Sequence, residues 1–199
     1  MSLRASAQNS STNMFISTAD LRTVMSDAAL GQIITPEKDN RKRAEQFAIG
    51  EATAYLNFRY DTKAIFDFEV LDYSQAVAYQ VDQIIISSEG IAYTCIANAP
   101  VGASLTDGQY FEREDGRSEL IVMIVTDLTA YHLFSRVPNH KIPQHISERY
   151  EAAIKKLKEI RAQKMNPELP LKSSDDSSTT QQQTNTISII SHQKRNNYW

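Results

Sequence analysis

The sequence predicts a mainly α protein: a bundle of about four helices, interrupted by a small antiparallel β subdomain and followed by an extended C-terminal tail. Three observations lead there. Apolar residues recur at the helical period before residue 66 and again after residue 117. Between those limits the pattern changes to short β-branched and aromatic runs separated by turn residues. Beyond residue 171 it gives way to "SSDDSSTTQQQTNT" at 173–186, which has no apolar residue and too little hydrophobic surface to fold alone. The expected divisions are a flexible N-terminal arm at 1–14, a helical domain from 15–66 and 117–171, an inserted β subdomain at 67–116, and a tail at 172–199.

In chain order, Thr18 is expected to cap "ADLRTVM", with Leu21, Val24 and Met25 on one face, and Ser26 to cap "DAALGQII". "TPEKDNRKRAEQFAIGEATAYLNFRY" reads as a long helix with Thr35 as cap and Pro36 at its first position. Ala44, Phe47, Ala48, Ala52, Tyr55 and Phe58 mark its apolar side. "VAYQV", "IIISS" and "IAYTCIA" are the strand signals, three or four strands in all, with "SEG" at 88–90 as a hairpin turn. Helical pattern returns from about Ser118 to about Arg136 and is apolar on nearly all sides, as a central helix should be. A last helix begins near Pro143, carries Ile146, Tyr150, Ala153, Ile154, Leu157 and Ile160 inward, and is expected to stop at "NPELP". An insertion of this kind requires that its two ends lie close together on the surface.

Composition narrows the function. A formal net charge of −3 argues against nonspecific nucleic-acid binding, which needs a clustered basic footprint. One cysteine, Cys95, excludes an internal disulfide framework and suits a reducing compartment. "MSLRASAQNSSTNM" has no apolar core of a secretory signal, and "LIVMIVTDLTAYHLF" is too short to span a bilayer and holds Asp127, so no membrane partner is expected.

Catalytic chemistry is not expected either. Cys95 has no local histidine to activate it, and His132 reads as a packed side chain. His140 and His145 lack the i,i+4 spacing that brings two ligands onto one helical face. Asp107, Glu112, Glu114 and Asp115 lack the alternation of a calcium loop. No phosphate-binding glycine loop or Ser-His-Asp signature appears. The expectation is no enzyme, no cofactor and no metal. The basic run "KKLKEIRAQK" at 155–164 reads first as the wet side of an amphipathic helix; an acidic partner surface or passing DNA is the alternative.

"FISTADLRTVM", "EATAYLNFRYD", "ELIVMIVTDLTAYHLF" and "ISERYEAAIKKLKEI" together resemble the Mu-type phage head-completion proteins, over about residues 14–66 and 117–171. The likeness rests on Ala52, Tyr55, Leu56, Arg59 and Tyr60; on Asp127, Ala130 and Tyr131; and on Arg149, Tyr150, Ala153, Leu157 and Ile160. It implies a connector-type helical bundle that forms a head-tail adaptor ring between portal and tail, matched to twelvefold portal symmetry. The genome passes through the ring's channel without specific binding. It also implies a virion location after synthesis in the host cytoplasm. The expected partners are further copies of the chain, the portal protein and neighbouring ring or tail proteins.

Two residue-level expectations accompany that likeness. Arg59 closes a helix, where the dipole favours a cation, and Asp127 is an acid in an otherwise apolar helix, so an Arg59–Asp127 pair is expected to fix helix to helix. The alternative is that Arg59 snorkels to solvent. In the tail, Ile187, Ile189, Ile190, Lys194, Arg195, Tyr198 and Trp199 combine apolar, charged and aromatic anchors after a polar spacer and are the expected partner-docking segment.

The β segment "VAYQVDQIIISSEGIAYTCIANAP…GQYF" is similar to small chitin-binding β modules, with Tyr110 and Phe111 where those carry sugar-stacking aromatics. It contains no tryptophan, so a decoration that contacts a neighbouring protein, with Tyr110 and Phe111 as the candidate contact, or that widens the ring is favoured. A carbohydrate- or protein-binding decoration of a phage particle is the alternative function.

Overall fold

The computed structural model describes residues 14–34, 38–136 and 141–173. Within them the chain forms six helices and one four-stranded mixed sheet. Helices α1 (Thr18–Arg22), α2 (Asp27–Ile34), α3 (Lys38–Leu56) and α4 (Thr62–Phe66) come first. Strands β1 (Val70–Asp72), β2 (Ile84–Ile86), β3 (Ala92–Cys95) and β4 (Phe111–Glu112) follow, then α5 (Glu119–Ser135) and α6 (Gln144–Arg161).

Local chemistry sets the helix ends. Ser17, rather than Thr18, caps α1: its hydroxyl accepts from the Asp20 amide at 3.0 Å, and the Asp20 carboxylate accepts from the Ser17 amide at 2.7 Å. Ser17 has the extended backbone a cap requires, whereas Thr18 is already helical. Ser26 does serve α2, accepting from the Ala29 amide at 3.3 Å. Thr35 and Pro36 lie outside the described residues.

α3 ends at Leu56, sooner than its apolar period suggests, and Asp61 restarts the chain as α4 by accepting from the Lys63 and Ala64 amides. α6 stops before "NPELP". Gln163 takes a left-handed conformation (φ 58°), with Gln163 N donating to Ile160 O at 3.0 Å and Lys164 N to Glu159 O at 2.9 Å. These two bonds form a Schellman stop. The chain then crosses the end of α3. Asp61 N donates to Pro170 O at 2.9 Å and Lys172 N to Arg59 O at 3.1 Å, with Tyr60 and Leu171 as bridge partners.

The helical core is built on α5, which packs against α3, α6 and α1. Ile121, Ile124, Val125, Leu128, Ala130 and Leu133 are buried, so its near-uniform apolarity reflects neighbours on several sides. α6 returns along α5 in the opposite direction, with Arg149 beside Asp127 and Lys156 beside Met123. α3 turns Ala44, Ala48, Ala52 and Leu56 inward. Each fully buried Leu or Ile in this core contributes about 2 kcal/mol relative to exposure. Phe47 and Phe58, expected on the same face, are 55% and 63% exposed. Phe47 lies one residue from Ala48, about 100° round the axis and off the buried stripe, and Phe58 lies in the turn past the helix end at Leu56.

The sheet order is β1-β2-β3-β4. β2–β3 and β3–β4 are antiparallel, but β1 runs parallel to β2, with Val70 opposite Ile84. This corrects the antiparallel expectation. The 73–83 segment is long enough to carry the chain back over the sheet end, so β2 starts where β1 started. Ser87–Gly90 closes the β2–β3 hairpin, and Gly90 adopts φ 81° there.

Side chains alternate between the sheet's two faces. Tyr79, Ile85, Cys95, Ala99 and Phe111 form one apolar cluster, while Val70, Ile84 and Ile86 pack with Ala19 of α1 and Phe68. None of the described helices is long and apolar enough to cross a membrane.

Candidate assembly surfaces

Asp127 is buried on α5 and accepts a 2.7 Å hydrogen bond from Arg149 Nε on α6. Burial pushes its carboxyl above the usual range, while the hydrogen bond and charge of Arg149, with Lys156 beyond, pull it back. Arg59 instead donates to Asn166 Oδ1 at 2.6 Å and its guanidinium lies 5.5 Å from the Tyr60 ring. The expected Arg59–Asp127 pair therefore does not form. Arg59 sits past the end of α3 beside the α6 terminus, and α6 supplies the nearer cation. The signal for Arg149 was its place on an amphipathic helix next to the core position Tyr150.

A second constellation crosses three helices. Glu51 on α3 accepts from Tyr150 OH on α6 at 2.8 Å through Oε1, and its Oε2 lies 3.2 Å from His132 Nε2 on α5. Burial, then the hydrogen bond to Glu51, pushes the Tyr150 hydroxyl up to about 12. Tyr150 stacks on Tyr131 at 4.1 Å between centroids, and His132 lies 6.0 Å from Phe47. Arg136 covers the other approach to Phe47, at 4.6 Å from its centroid. One carboxylate thus sets the register of α3, α5 and α6 under an exposed aromatic. His132 is a packed side chain here, as its sequence setting suggested.

A third constellation fastens the chain before α1. The Glu45 carboxylate accepts from the Phe15 and Ile16 amides. Arg41 donates to Thr18 Oγ1 and Ile16 O, both at 2.9 Å. Arg117, whose side chain is 1% exposed, donates to Phe15 O at 2.6 Å and Asp20 Oδ2 at 3.0 Å. It also grips Asp115 bidentately at 2.9 and 2.7 Å. Burial pulls the Arg117 guanidinium pKa down, but Asp115 and Asp20 more than offset it. Burial raises Glu45 to about 7, and its Oε2 has no hydrogen-bond partner among the described residues.

The β segment presents a different surface. Tyr79 and Ala99 exchange backbone hydrogen bonds at 3.0 and 2.9 Å, and Val81 N donates to Asn98 Oδ1 at 3.3 Å. Those bonds hold two loops side by side, with Val77, Val81, Ile96 and Val101 exposed on them.

Phe111, proposed from sequence as a contact residue, is buried in the β cluster against Tyr79. A strand position whose side chain faces the core is not available to a partner. Tyr110 is half-buried beside it and borders a shallow depression with Pro100 and Asn98. The remaining aromatics at 65–117 are also buried or half-buried, so this segment has no exposed aromatic row for a sugar ring. Cys95 lies in the same cluster, and burial raises its thiol.

The sequence reading missed a charge pattern. Residues 64–112 contain seven acids (Asp67, Glu69, Asp72, Asp82, Glu89, Asp107 and Glu112) and no lysine, arginine or histidine. That is a formal −7 against −3 for the whole chain, which leaves +4 on the rest. A whole-chain net charge hides this segregation.

Among the described residues, no group of three or more His, Cys, Asp or Glu side chains is arranged to hold a metal ion. Ile187, Ile189, Ile190, Lys194, Arg195, Tyr198 and Trp199 lie outside the described residues.

Comparison with known proteins gives one family match. Residues 116–186 match the family model described as Bacteriophage Mu, Gp36. The matched stretch begins at the turn holding Arg117 and covers α5 and α6. This similarity supports a phage protein. No curated protein and no solved structure matches the chain.

Proposed function

We propose that the chain is a structural virion protein, a head-tail connector or adaptor that forms a ring between portal and tail and leaves a channel for the genome. The observation that carries this reading is the coincidence of the phage-family match with the α5–α6 hairpin, the element around which the helical core is built. In this reading the helices form a connector-type domain and residues 67–116 are a β subdomain inserted into it. The protein is not an enzyme and takes no cofactor.

Identical copies meet head to tail and close when their rotation divides a full turn, twelve copies for a twelvefold portal. Residues 187–199 provide the docking segment for the portal or an adjacent ring, at the head-tail interface of the virion. Electron micrographs of the purified chain, alone and with a portal, test the proposal. Closed rings with an axial channel are expected, and rings that still join the portal after deletion of 187–199 would remove the tail from the account. A chain that stays monomeric under both conditions overturns the connector reading.

A further inference from the structure

Seven large hydrophobic side chains are exposed among the described residues, and they fall into two groups. Phe47, Phe58 and Leu171 belong to the helical part; Val77, Val81, Ile96 and Val101 belong to the paired β loops. We propose that these two groups are the two halves of one lateral contact: the β loops of one copy seat on the exposed face of α3 in the next. This inference rests on the ring reading and names the surfaces that would build it.

The shape of α3 fits such a contact. Arg43, Phe47, Gly50 and Ala54 are exposed and share about a sixth of the helix circumference at the 3.6-residue period, and Phe58 is exposed in the turn just past the helix end. The aromatic Phe47 therefore stands beside a hollow made by Gly50 and Ala54. A Cβ built on Gly50 meets no atom within 4 Å, so the hollow is open to solvent in the single copy. Aliphatic side chains on short loops are the right size to enter it.

Charge selects the same pairing. The β loops belong to the segment with seven acids and no cation, and Asp82 stands next to Val81 on the exposed surface. The α3 face carries Arg43, which has no hydrogen bond or ion pair among the described residues, and Arg136 stacked over Phe47. Opposite signs on the two patches favour β loop against α3 and disfavour either patch against its own copy. A contact between unlike patches is heterologous, the kind that propagates round a ring rather than stopping at a dimer.

Two full-length variants test this: Phe47→Asp on α3 and Val101→Asp on the β loops. Both positions are exposed, so both variants fold, and Phe58→Asp and Val81→Asp provide a second pair. Sedimentation velocity on each variant alone should show monomers, with assembly weakened about tenfold or more. Mixing the two variants should give a 1:1 pair and nothing larger, because each retains one intact patch. Raising salt from about 50 mM to about 500 mM should weaken assembly of the unmodified chain, since the paired charges are screened. Variants that still assemble as the unmodified chain does overturn the inference while leaving the ring reading in place, as does a mixture that forms no pair. An unmodified chain that never assembles overturns the ring reading itself.

Discussion

Arg149 on α6 reaches Asp127 on α5 with a single 2.7 Å hydrogen bond, and the two ends of that bond are unequally solvated. The Arg149 side chain is 42% exposed and that of Asp127 6%. Removing the arginine leaves a carboxylate with little access to water; removing the aspartate leaves a cation that hydrates.

Arg149→Ala should therefore destabilise the fold by about 3 kcal/mol at pH 7, and Asp127→Ala by less. Arg59→Ala, which breaks the bond to Asn166, should cost about 1 kcal/mol. Urea denaturation of the three variants checks the order. The Arg149→Ala loss should shrink in acid, because burial already favours protonated Asp127 and a protonated carboxyl needs no cation. Equal losses for Arg59→Ala and Arg149→Ala would contradict this account of the interhelical bond.

Arg117 holds Phe15, Asp20 and Asp115 together from a buried position. Arg117→Ala should cost on the order of 3–5 kcal/mol, and Arg117→Lys most of that, because a lysine cannot reproduce the bidentate fork on Asp115. Hydrogen exchange locates the damage. The Val24 and Met25 amides, whose bonds run back to Leu21 of α1, should lose protection, while amides in the middle of α6 keep more of theirs.

Glu45 gives the fold a pH dependence of unusual sign. Its carboxyl is held near 7 in the folded chain, against an ordinary value of 4.5, so the folded state binds this proton more tightly than the unfolded chain does. The Glu45 contribution is fully present below about pH 4.5 and is lost as pH rises through 7, a change of about 3 kcal/mol. Thermal melts from pH 5 to 8 should show the midpoint falling for the unmodified chain. Glu45→Gln, which keeps the acceptor for Phe15 and Ile16 but carries no proton to lose, should flatten that slope. A slope unchanged by Glu45→Gln would assign it to other groups.

Periodicity made much of this architecture readable. The α5 and α6 limits follow from the 3.6-residue repeat and from Ser118 and Pro143 at the starts, and "SEG" marks the hairpin. Features that depend on direction in space were not readable. β-branched runs signal strands, but only the path of the 73–83 segment makes β1 parallel to β2. The helical period grouped Phe47 and Phe58 with Ala48, although one residue of rotation carries Phe47 to the surface and the helix ends at Leu56, before Phe58. Gln163 stops α6 in a left-handed conformation that glycine would have advertised and glutamine does not. For the candidate surfaces, local composition held the missing signal: an uninterrupted acidic segment from 64 to 112 was plain in the sequence once the chain was divided.

The strap of residues 170–172 laid across 59–61 fixes the place from which the rest of the polypeptide departs. At the opposite terminus Met14 O takes the Val70 amide at 3.0 Å, so the first described residue is pinned to the start of the first strand. The described chain is thus moored at both its ends, at the start of β1 and just past the end of α3. Gold or fluorescent labels placed at those moorings would report which way up each copy stands in an assembled particle.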